Sequence, residues 1–288
     1  MQVRLLGPVD VTVDGVARPI PGLRRKAVLA MLALTPGEIV STDRLIDVVW
    51  SDRPSSAAPN SLPAHVSYLR GALGARTAIV ARPPGYVLDI GAEATDLQVA
   101  ERLIRQGRQS TDPGQSASLL RAALARWRGR PLVDVAGLPW LAEQAERLTV
   151  IHLEAVEALV DARLALGEHA QLLAELDGLI GQYPFREHLH GQLMVALYRA
   201  GRQADALEGH RRFREMLSEQ LGIEPSPVLR ELELRILQHD PALDVARNRG
   251  SARRHVSRSS LAVRQGVVRW SGCTTSPNPL VPRLRFAA

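Results

Sequence analysis

The sequence predicts a mainly α-helical protein in which a small α+β region comes first and an all-α region follows. Three observations support this prediction. Apolar and polar residues alternate over residues 2–20, as they do in short β-strands. Three segments with helical periodicity and one hairpin pattern then follow up to residue 90. Beyond residue 95 the periodicity is helical almost throughout, and part of it repeats at an offset of 34 residues.

The first elements are short strands followed by a helix. Val9, Val11 and Val13 alternate with other residues, and Asp14-Gly15 is typical of a hairpin turn in which both central residues have positive φ. From Leu23 the apolar spacing becomes helical, and Pro36-Gly37 ends that helix.

Two further helices are predicted between residues 41 and 74. Ser41 or Thr42 caps the second helix. A loop rich in Pro and Ser at residues 51–59 leads to the third, in which Pro63 is tolerated only in the first turn, so we expect this helix to begin near Ser61. The third helix has a narrow apolar face that we expect to be buried: Leu62, Val66, Leu69 and Leu73.

Residues 78–90 then predict a hairpin whose two apolar strands flank Arg82-Pro83-Pro84-Gly85. Strands, three helices and a terminal hairpin in this order are typical of a winged helix-turn-helix, which we assign to residues 1–92. In that fold the third helix enters the DNA major groove, and the hairpin (the wing) lies against the backbone or an adjacent minor groove. Double-stranded DNA is therefore the expected ligand.

The candidate DNA-reading residues lie opposite or beside the buried face of the third helix. The side chains of Asn60, His65 and Ser67 can hydrogen-bond base edges, and Ala64 can meet a thymine methyl group. Ser61 flanks the same face, and Arg70 and Tyr68 are better placed for phosphates. Two alternative interpretations stay open. Tyr68 can equally be a half-buried residue at the rim of the face, and His65 can be a solvated polar residue.

Further candidate phosphate contacts are basic residues outside the third helix. Arg24, Arg25 and Lys26 open the first helix, although three charges in a row are also typical of an ordinary solvated face. Arg44 opens the second helix, and Arg82 is the preferred backbone or minor-groove contact of the wing.

Charge is distributed unevenly along the chain. The net charge of +6 comes from +3 in residues 1–91 (10 Lys and Arg, 7 Asp and Glu), −6 in residues 92–245 (17 against 23) and +9 in residues 246–288 (9 against none). The basic total therefore belongs to the last residues and is weak evidence for DNA binding. The positions of the few charges in the first region carry more weight.

The all-α region, residues 96–240, has an internal repeat. Residues 166–170 match residues 200–204, and Leu159, Ala162 and Leu173 match Leu193, Ala196 and Leu207, all at an offset of 34 residues. This period is that of tetratricopeptide helix pairs. We expect a short superhelix that contacts other proteins.

The final segment, residues 246–288, is rich in Arg and Ser and has no acidic residue. Such a composition builds no core, so disorder is the expectation. Two explanations stay open: a basic extension, or an out-of-frame reading of GC-rich DNA, which the 35 Arg and single Lys of the chain also suit.

Several function classes are disfavoured. No apolar run suffices for a transmembrane helix, and no export signal opens the chain, so we expect a cytoplasmic protein without membrane contact. Cys273 is the only cysteine, which excludes an intramolecular disulfide and a metal site built from several cysteines. A phosphate-binding loop needs a lysine in a glycine frame that Lys26 lacks, which argues against ATP hydrolysis. We expect no catalytic residues, no cofactor and no metal.

The order of these motifs resembles the Streptomyces antibiotic regulatory protein family, which combines an OmpR-type winged helix with a bacterial transcriptional activation domain. The segments that carry the resemblance are VRLLGPVDV (3–11), RRKAVLAMLAL (24–34), PGEIVSTDRLIDVVW (36–50), HVSYLRGALG (65–74), RPPGYVL (82–88), residues 159–207 and LGIEPSPVLRELELRIL (221–237). Pro59 and Pro63 depart from the family pattern, which more often has helix formers there.

The resemblance implies an activator that binds promoter direct repeats, as a homodimer on DNA, and recruits RNA polymerase to secondary-metabolite genes. The alternative is a protein-interaction module of helical repeats whose winged helix no longer reads DNA specifically.

Overall fold

A computed structural model of the chain describes residues 1–51, 58–75 and 77–244, with the backbone alone at residues 58 and 59. It begins with a three-stranded antiparallel sheet: β1 (Gln2–Arg4), β2 (Asp10–Val13) and β3 (Val16–Pro19), in the order β1-β2-β3. Asp14 and Gly15 connect β2 to β3 with φ angles of 51° and 78°. The hairpin turn predicted at these two residues is thus confirmed.

Three helices and a second sheet follow. The helices are α1 (Leu23–Leu34), α2 (Thr42–Val49) and α3 (Ala58–Ala72), and the sheet contains β4 (Val40–Ser41), β5 (Ile79–Arg82) and β6 (Gly85–Leu88). Its order is β4-β6-β5, so the wing hairpin of β5 and β6 gains a third strand directly before α2. This third strand was not predicted, because two residues are too few to show an alternating pattern.

Helix α3 differs from the prediction at its start. It begins at Ala58, three residues before Ser61, and Pro63 lies inside it. Pro63 has no N–H to donate to the carbonyl of Pro59, and its ring crowds that carbonyl, but the carbonyl lies in the first turn, where the backbone can adjust. The expectation that a proline at this position must itself lie in the first turn was therefore wrong. The buried face is as predicted, since Leu62, Val66, Leu69 and Leu73 are all at most 1% exposed.

Ser41 is the residue that caps α2. Its hydroxyl oxygen accepts a hydrogen bond from the backbone N–H of Arg44 at 3.2 Å. Replacing Ser41 with alanine removes this acceptor, and we expect the free energy of unfolding to fall by about 1 kcal/mol. Urea unfolding followed by circular dichroism measures this change. Thr42→Ala is the matched control, and an equal loss in both variants would contradict the assignment of Ser41 as the cap.

Seven helices make up the following region: α4 (Asp96–Gln109), α5 (Pro113–Leu124), α6 (Pro139–Ala165), α7 (His169–Gln182), α8 (Glu187–Arg199), α9 (Gln203–Leu221) and α10 (Pro227–Leu237). Gly167 and Gly201, which the repeat aligns, both have positive φ and lie between α6 and α7 and between α8 and α9. The aligned Ala162 and Ala196 are both buried. The repeat thus corresponds to two successive helix pairs. No helix within the described ranges is both long and apolar enough to cross a membrane.

The first sheet and the helical region share one hydrophobic core. Leu132, Val135 and Leu138, in the connection between α5 and α6, are buried together with Val3, Leu5 and the inner residues of α1 to α3. Backbone hydrogen bonds join the same parts, from the N–H of Leu132 to the carbonyl of Leu5 at 3.1 Å and from Arg128 to Leu6 at 2.8 Å. The α5–α6 connection therefore completes the core of the N-terminal region.

Candidate DNA interface

One face of α3 is open to solvent. Asn60, Ala64 and Ser67 are exposed, and the side chain of Tyr68 beside them is 39% exposed. Ser61 and His65 are half-buried at the border of this face. Small and polar side chains on an exposed helix can approach base edges closely, which is the arrangement that reading of the major groove requires.

The N-terminus of α1 lies beside this face. The guanidinium carbon of Arg25 is 4.0 Å from the ring centroid of Tyr68, and that of Arg24 is 5.4 Å from the Trp50 ring. Neither arginine forms an ion pair with a carboxylate in the part of the chain that the structure describes. Their positive charges remain available to phosphates, and the cation–π contacts restrict where they point.

His65 connects α3 to the end of α2. Its ring centroid is 5.7 Å from that of Trp50. Burial lowers the pKa of His65 below the ordinary value of 6.5, and the charges of Arg25 and Arg24 lower it further. The imidazole is therefore uncharged at neutral pH and can both donate and accept a hydrogen bond.

This shift predicts a pH dependence of stability. At pH values between the lowered pKa of the folded state and 6.5, the unfolded chain binds more protons at His65 than the folded chain does. The contribution of His65 to stability is therefore fully present above pH 6.5 and is lost as the pH falls from 6.5 through the lowered pKa. We expect His65→Gln to lose less stability than the unchanged protein when the pH drops from about 7.5 to about 5.5. Urea unfolding at both pH values tests this. The pKa values of His152 and His190 are also lowered by burial, but their contributions are common to both proteins and cancel. Identical pH profiles would contradict the prediction.

The wing is held against the start of α2. The backbone N–H of Thr42 donates to the carbonyl of Pro84 at 3.0 Å, and Gly85 pairs with Ser41. Arg82 ends β5 at the exposed tip, with its guanidinium 3.7 Å from the Asp89 carboxylate and half of its side chain exposed. The predicted wing contact thus sits on a hairpin fixed to the helix that precedes α3.

Arg70 forms a hydrogen bond to the backbone of the wing that the sequence did not indicate. Its Nε donates to the backbone carbonyl of Ile79 at 2.7 Å, and its side chain is half-buried. This bond ties the last turn of α3 to the first strand of the wing. A role in holding α3 and the wing together therefore stands beside the predicted phosphate contact.

Two of the residues predicted to contact phosphates also contact the helical region. Lys26 forms an ion pair with Asp134, whose carboxylate also accepts from the N–H of Val9 at 3.0 Å. The guanidinium carbon of Arg44 is 5.2 Å from the Trp140 ring. Both partners follow more than 90 residues later in the chain, so no local pattern could indicate them. Lys26 and Arg44 therefore each have a partner within the protein, and their contact with phosphates stays a prediction.

Together, these observations define a class of protein: a winged helix whose third helix exposes one face to solvent, joined through a shared core to a region of helical repeats. The family model described as "Transcriptional regulatory protein, C terminal" matches residues 23–88, and the model "Bacterial transcriptional activator domain" matches residues 95–237.

Curated relatives agree. The regulatory protein DnrI of Streptomyces peucetius is 34% identical over 257 residues, which cover 85% of this chain and 94% of DnrI. The transcriptional regulator RedD of Streptomyces coelicolor is 34% identical, with 85% of this chain and 73% of RedD covered. The chain belongs to the Streptomyces antibiotic regulatory protein family of transcriptional regulators, which confirms the resemblance seen in the sequence.

A longer relative has a solved structure. The transcriptional regulatory protein EmbR of Mycobacterium tuberculosis is 38% identical over 245 residues, and the chain spans 63% of its length. The structure of EmbR in complex with a low affinity phosphopeptide superimposes with a TM-score of 0.79 at 35% sequence identity, covering 83% of this chain and 65% of that one.

Proposed function

We propose that this protein is a sequence-specific transcriptional activator that places α3 in the major groove of promoter DNA and the wing against the backbone. The observation that carries the proposal is the exposed polar face of α3, which is bordered by the guanidinium groups of Arg24 and Arg25, neither of which pairs with a carboxylate of the described residues. In this proposal residues 1–92 bind DNA, residues 96–240 activate transcription and residues 246–288 form a basic tail.

The proposed contacts divide into two groups by their chemistry. Asn60, His65 and Ser67 hydrogen-bond base edges, and Ala64 packs against a thymine methyl group. The remaining contacts neutralise or hydrogen-bond phosphates and fix the orientation of the protein on the duplex. They are Arg24, Arg25, Lys26, Arg44, Tyr68 and Arg82, with Ser61 and Arg70 at the border of the face.

The family supports the finer points of the proposal. DnrI and RedD are regulators that align with this chain over 257 and 254 residues. By analogy, the protein binds direct repeats as a homodimer, contacts RNA polymerase through the helical region and activates secondary-metabolite genes. It acts in the cytoplasm and catalyses no reaction.

Fluorescence anisotropy with a labelled DNA fragment from upstream of the neighbouring genes tests DNA binding. We expect Arg82→Ala to weaken binding to all sequences and to flatten the slope of log affinity against log salt by about one unit, because one phosphate contact is lost. Ser67→Ala should reduce discrimination against an unrelated fragment by about 1 to 3 kcal/mol and leave the slope unchanged. Arg230→Ala, at an exposed position of α10, is the matched control for the loss of a positive charge.

Two results would contradict the proposal. Equal affinity for the promoter fragment and an unrelated fragment would favour a protein-interaction module without specific DNA reading. Binding that ignores sequence and vanishes when residues 246–288 are removed would assign the affinity to the basic tail.

A further inference from the structure

An acidic residue of the α5–α6 connection contacts the first helix of the winged helix. The carboxylate of Asp134 forms an ion pair with the ammonium group of Lys26, near the start of α1. The two oxygens of the same carboxylate accept hydrogen bonds from the backbone N–H of Val9, at 3.0 Å and 3.2 Å. The side chains of Lys26 and Asp134 are 22% and 21% exposed, so salt screens their attraction less than it screens an ion pair on the open surface.

The backbone around Asp134 is fixed by its neighbours. Leu132 and Val135 are fully buried in the core that the two regions share. The N–H of Leu132 donates to the carbonyl of Leu5 at 3.1 Å, and the N–H of Val135 donates to the carbonyl of Leu132 at 2.9 Å. A DNA phosphate that approaches Lys26 therefore competes with a carboxylate that is held in place.

Lys26 differs in this respect from the two arginines that precede it. The guanidinium groups of Arg24 and Arg25 contact aromatic rings, and neither pairs with a carboxylate in the described ranges. The start of α1 thus carries three positive charges, of which Asp134 neutralises one. The phosphate-binding surface at this helix has a net charge of +2, although the sequence alone indicates +3.

We propose that Asp134 is a positioning residue of the DNA interface, which holds the ammonium group of Lys26 within the protein and limits its contribution to phosphate binding. Phosphate contacts carry no sequence information, so Asp134 lowers the affinity for every DNA fragment alike. The base contacts of α3 then supply a larger share of the total binding free energy. This inference rests on the proposed function, because it requires that the start of α1 face the DNA backbone.

Asp134→Asn tests the proposal, because asparagine keeps an oxygen that can accept from Val9 but has no negative charge. Fluorescence anisotropy over a range of salt concentrations compares the labelled promoter fragment with an unrelated fragment. We expect affinity for both fragments to rise by about five- to tenfold at about 0.1 M salt, because Lys26 is then free to neutralise one more phosphate. The slope of log affinity against log salt should become steeper by about one unit for the same reason.

A second variant shows whether the effect acts through Lys26. In a chain that also carries Lys26→Gln, Asp134→Asn should leave the salt slope unchanged, because no ammonium group remains to contact the phosphate. Glu175→Gln is the matched control. It removes a carboxylate that pairs with Arg163 at 2.6 Å, but on α7, which packs against α6 and α8, and it should change neither affinity nor slope.

Three outcomes would overturn the proposal. The first is an unchanged affinity and slope in Asp134→Asn. The second is a steeper slope that persists when Lys26→Gln is also present, since Asp134 would then act without Lys26. The third is weaker binding of both fragments by Asp134→Asn, which would show that the carboxylate holds Lys26 ready for a phosphate.

Failure of the proposed function gives a different result. Equal affinity of the unchanged protein for the promoter fragment and the unrelated fragment would contradict specific DNA reading. The change in salt slope caused by Asp134→Asn does not depend on sequence and would still be expected.

Discussion

Replacing Asp96 with alanine is expected to lower the free energy of unfolding by about 3 to 5 kcal/mol. Asp96 is 3% exposed at the start of α4, and its carboxylate accepts hydrogen bonds from the N–H groups of Leu5 at 2.7 Å and Leu6 at 3.1 Å. Arg128 approaches the same carboxylate at 3.8 Å. Burial raises the pKa of Asp96, while these donors and the arginine oppose the shift. Without the carboxylate, two buried N–H groups lose their acceptor, and each costs about 1 to 3 kcal/mol.

Urea unfolding measures this loss, and two further variants define its cause. Asp96→Asn keeps one acceptor oxygen, so we expect it to lose less than alanine does. Asp47→Ala removes a carboxylate from an exposed position of α2 and should change stability by less than about 0.5 kcal/mol. A loss below about 1 kcal/mol for Asp96→Ala would show that water satisfies the N–H groups of Leu5 and Leu6 and would contradict the prediction.

The position of Asp96 also bears on cooperativity. It joins the helical region to the loop after β1, which the core residues Leu132 and Val135 also contact from the α5–α6 connection. A winged helix that shares its core with the next region should not unfold separately from it. We therefore expect one unfolding transition for the described part of the chain, with fluorescence and circular dichroism giving the same midpoint.

The elements that the sequence predicted well are those whose structure depends on residues close together in the chain. The Asp14-Gly15 turn, the buried face of α3 and the paired glycines Gly167 and Gly201 all follow from spacing or from the backbone angles that a residue type allows. The fold class and the exposed face of α3 could be inferred for the same reason, because one helical period fixes which residues are buried and which are not.

The contacts that sequence reasoning missed are non-local. Lys26 and Asp134 lie 108 residues apart, and nothing near Lys26 distinguishes an ion pair within the protein from a phosphate contact. The same holds for Arg44 and Trp140. The predicted start of α3 near Ser61 was wrong for a different reason. The effect of Pro63 depends on the position of the carbonyl four residues earlier, and that carbonyl belongs to Pro59 in the first turn. Spacing alone could therefore predict the buried and exposed faces of α3 but not the contacts that the surrounding basic residues make within the protein.

Gly85 gives the second large expected effect, because it lies where the wing meets β4. A Cβ atom at Gly85 would be 1.9 Å from the carbonyl oxygen of Val40 and 2.7 Å from the Cα of Ser41. Both are backbone atoms, so no rotation of a side chain can relieve the overlap. We expect Gly85→Ala to force β6 away from β4 and to lower the free energy of unfolding by about 2 to 4 kcal/mol.

The effect of Gly85→Ala on DNA binding should exceed that of removing Arg82, because the whole wing is displaced while a single phosphate contact is lost in Arg82→Ala. We expect promoter affinity to fall by about 100-fold or more, with the fold largely retained at low temperature. Gly178→Ala is the matched control, because Gly178 is at an exposed position of α7 and a Cβ atom there would meet nothing within 4 Å. Alanine at this position should stabilise the helix by about 0.5 to 1 kcal/mol without changing DNA binding. If Gly85→Ala kept its promoter affinity while losing stability, the wing would not contribute to DNA binding, and the contacts of α1 and α3 alone would have to account for it.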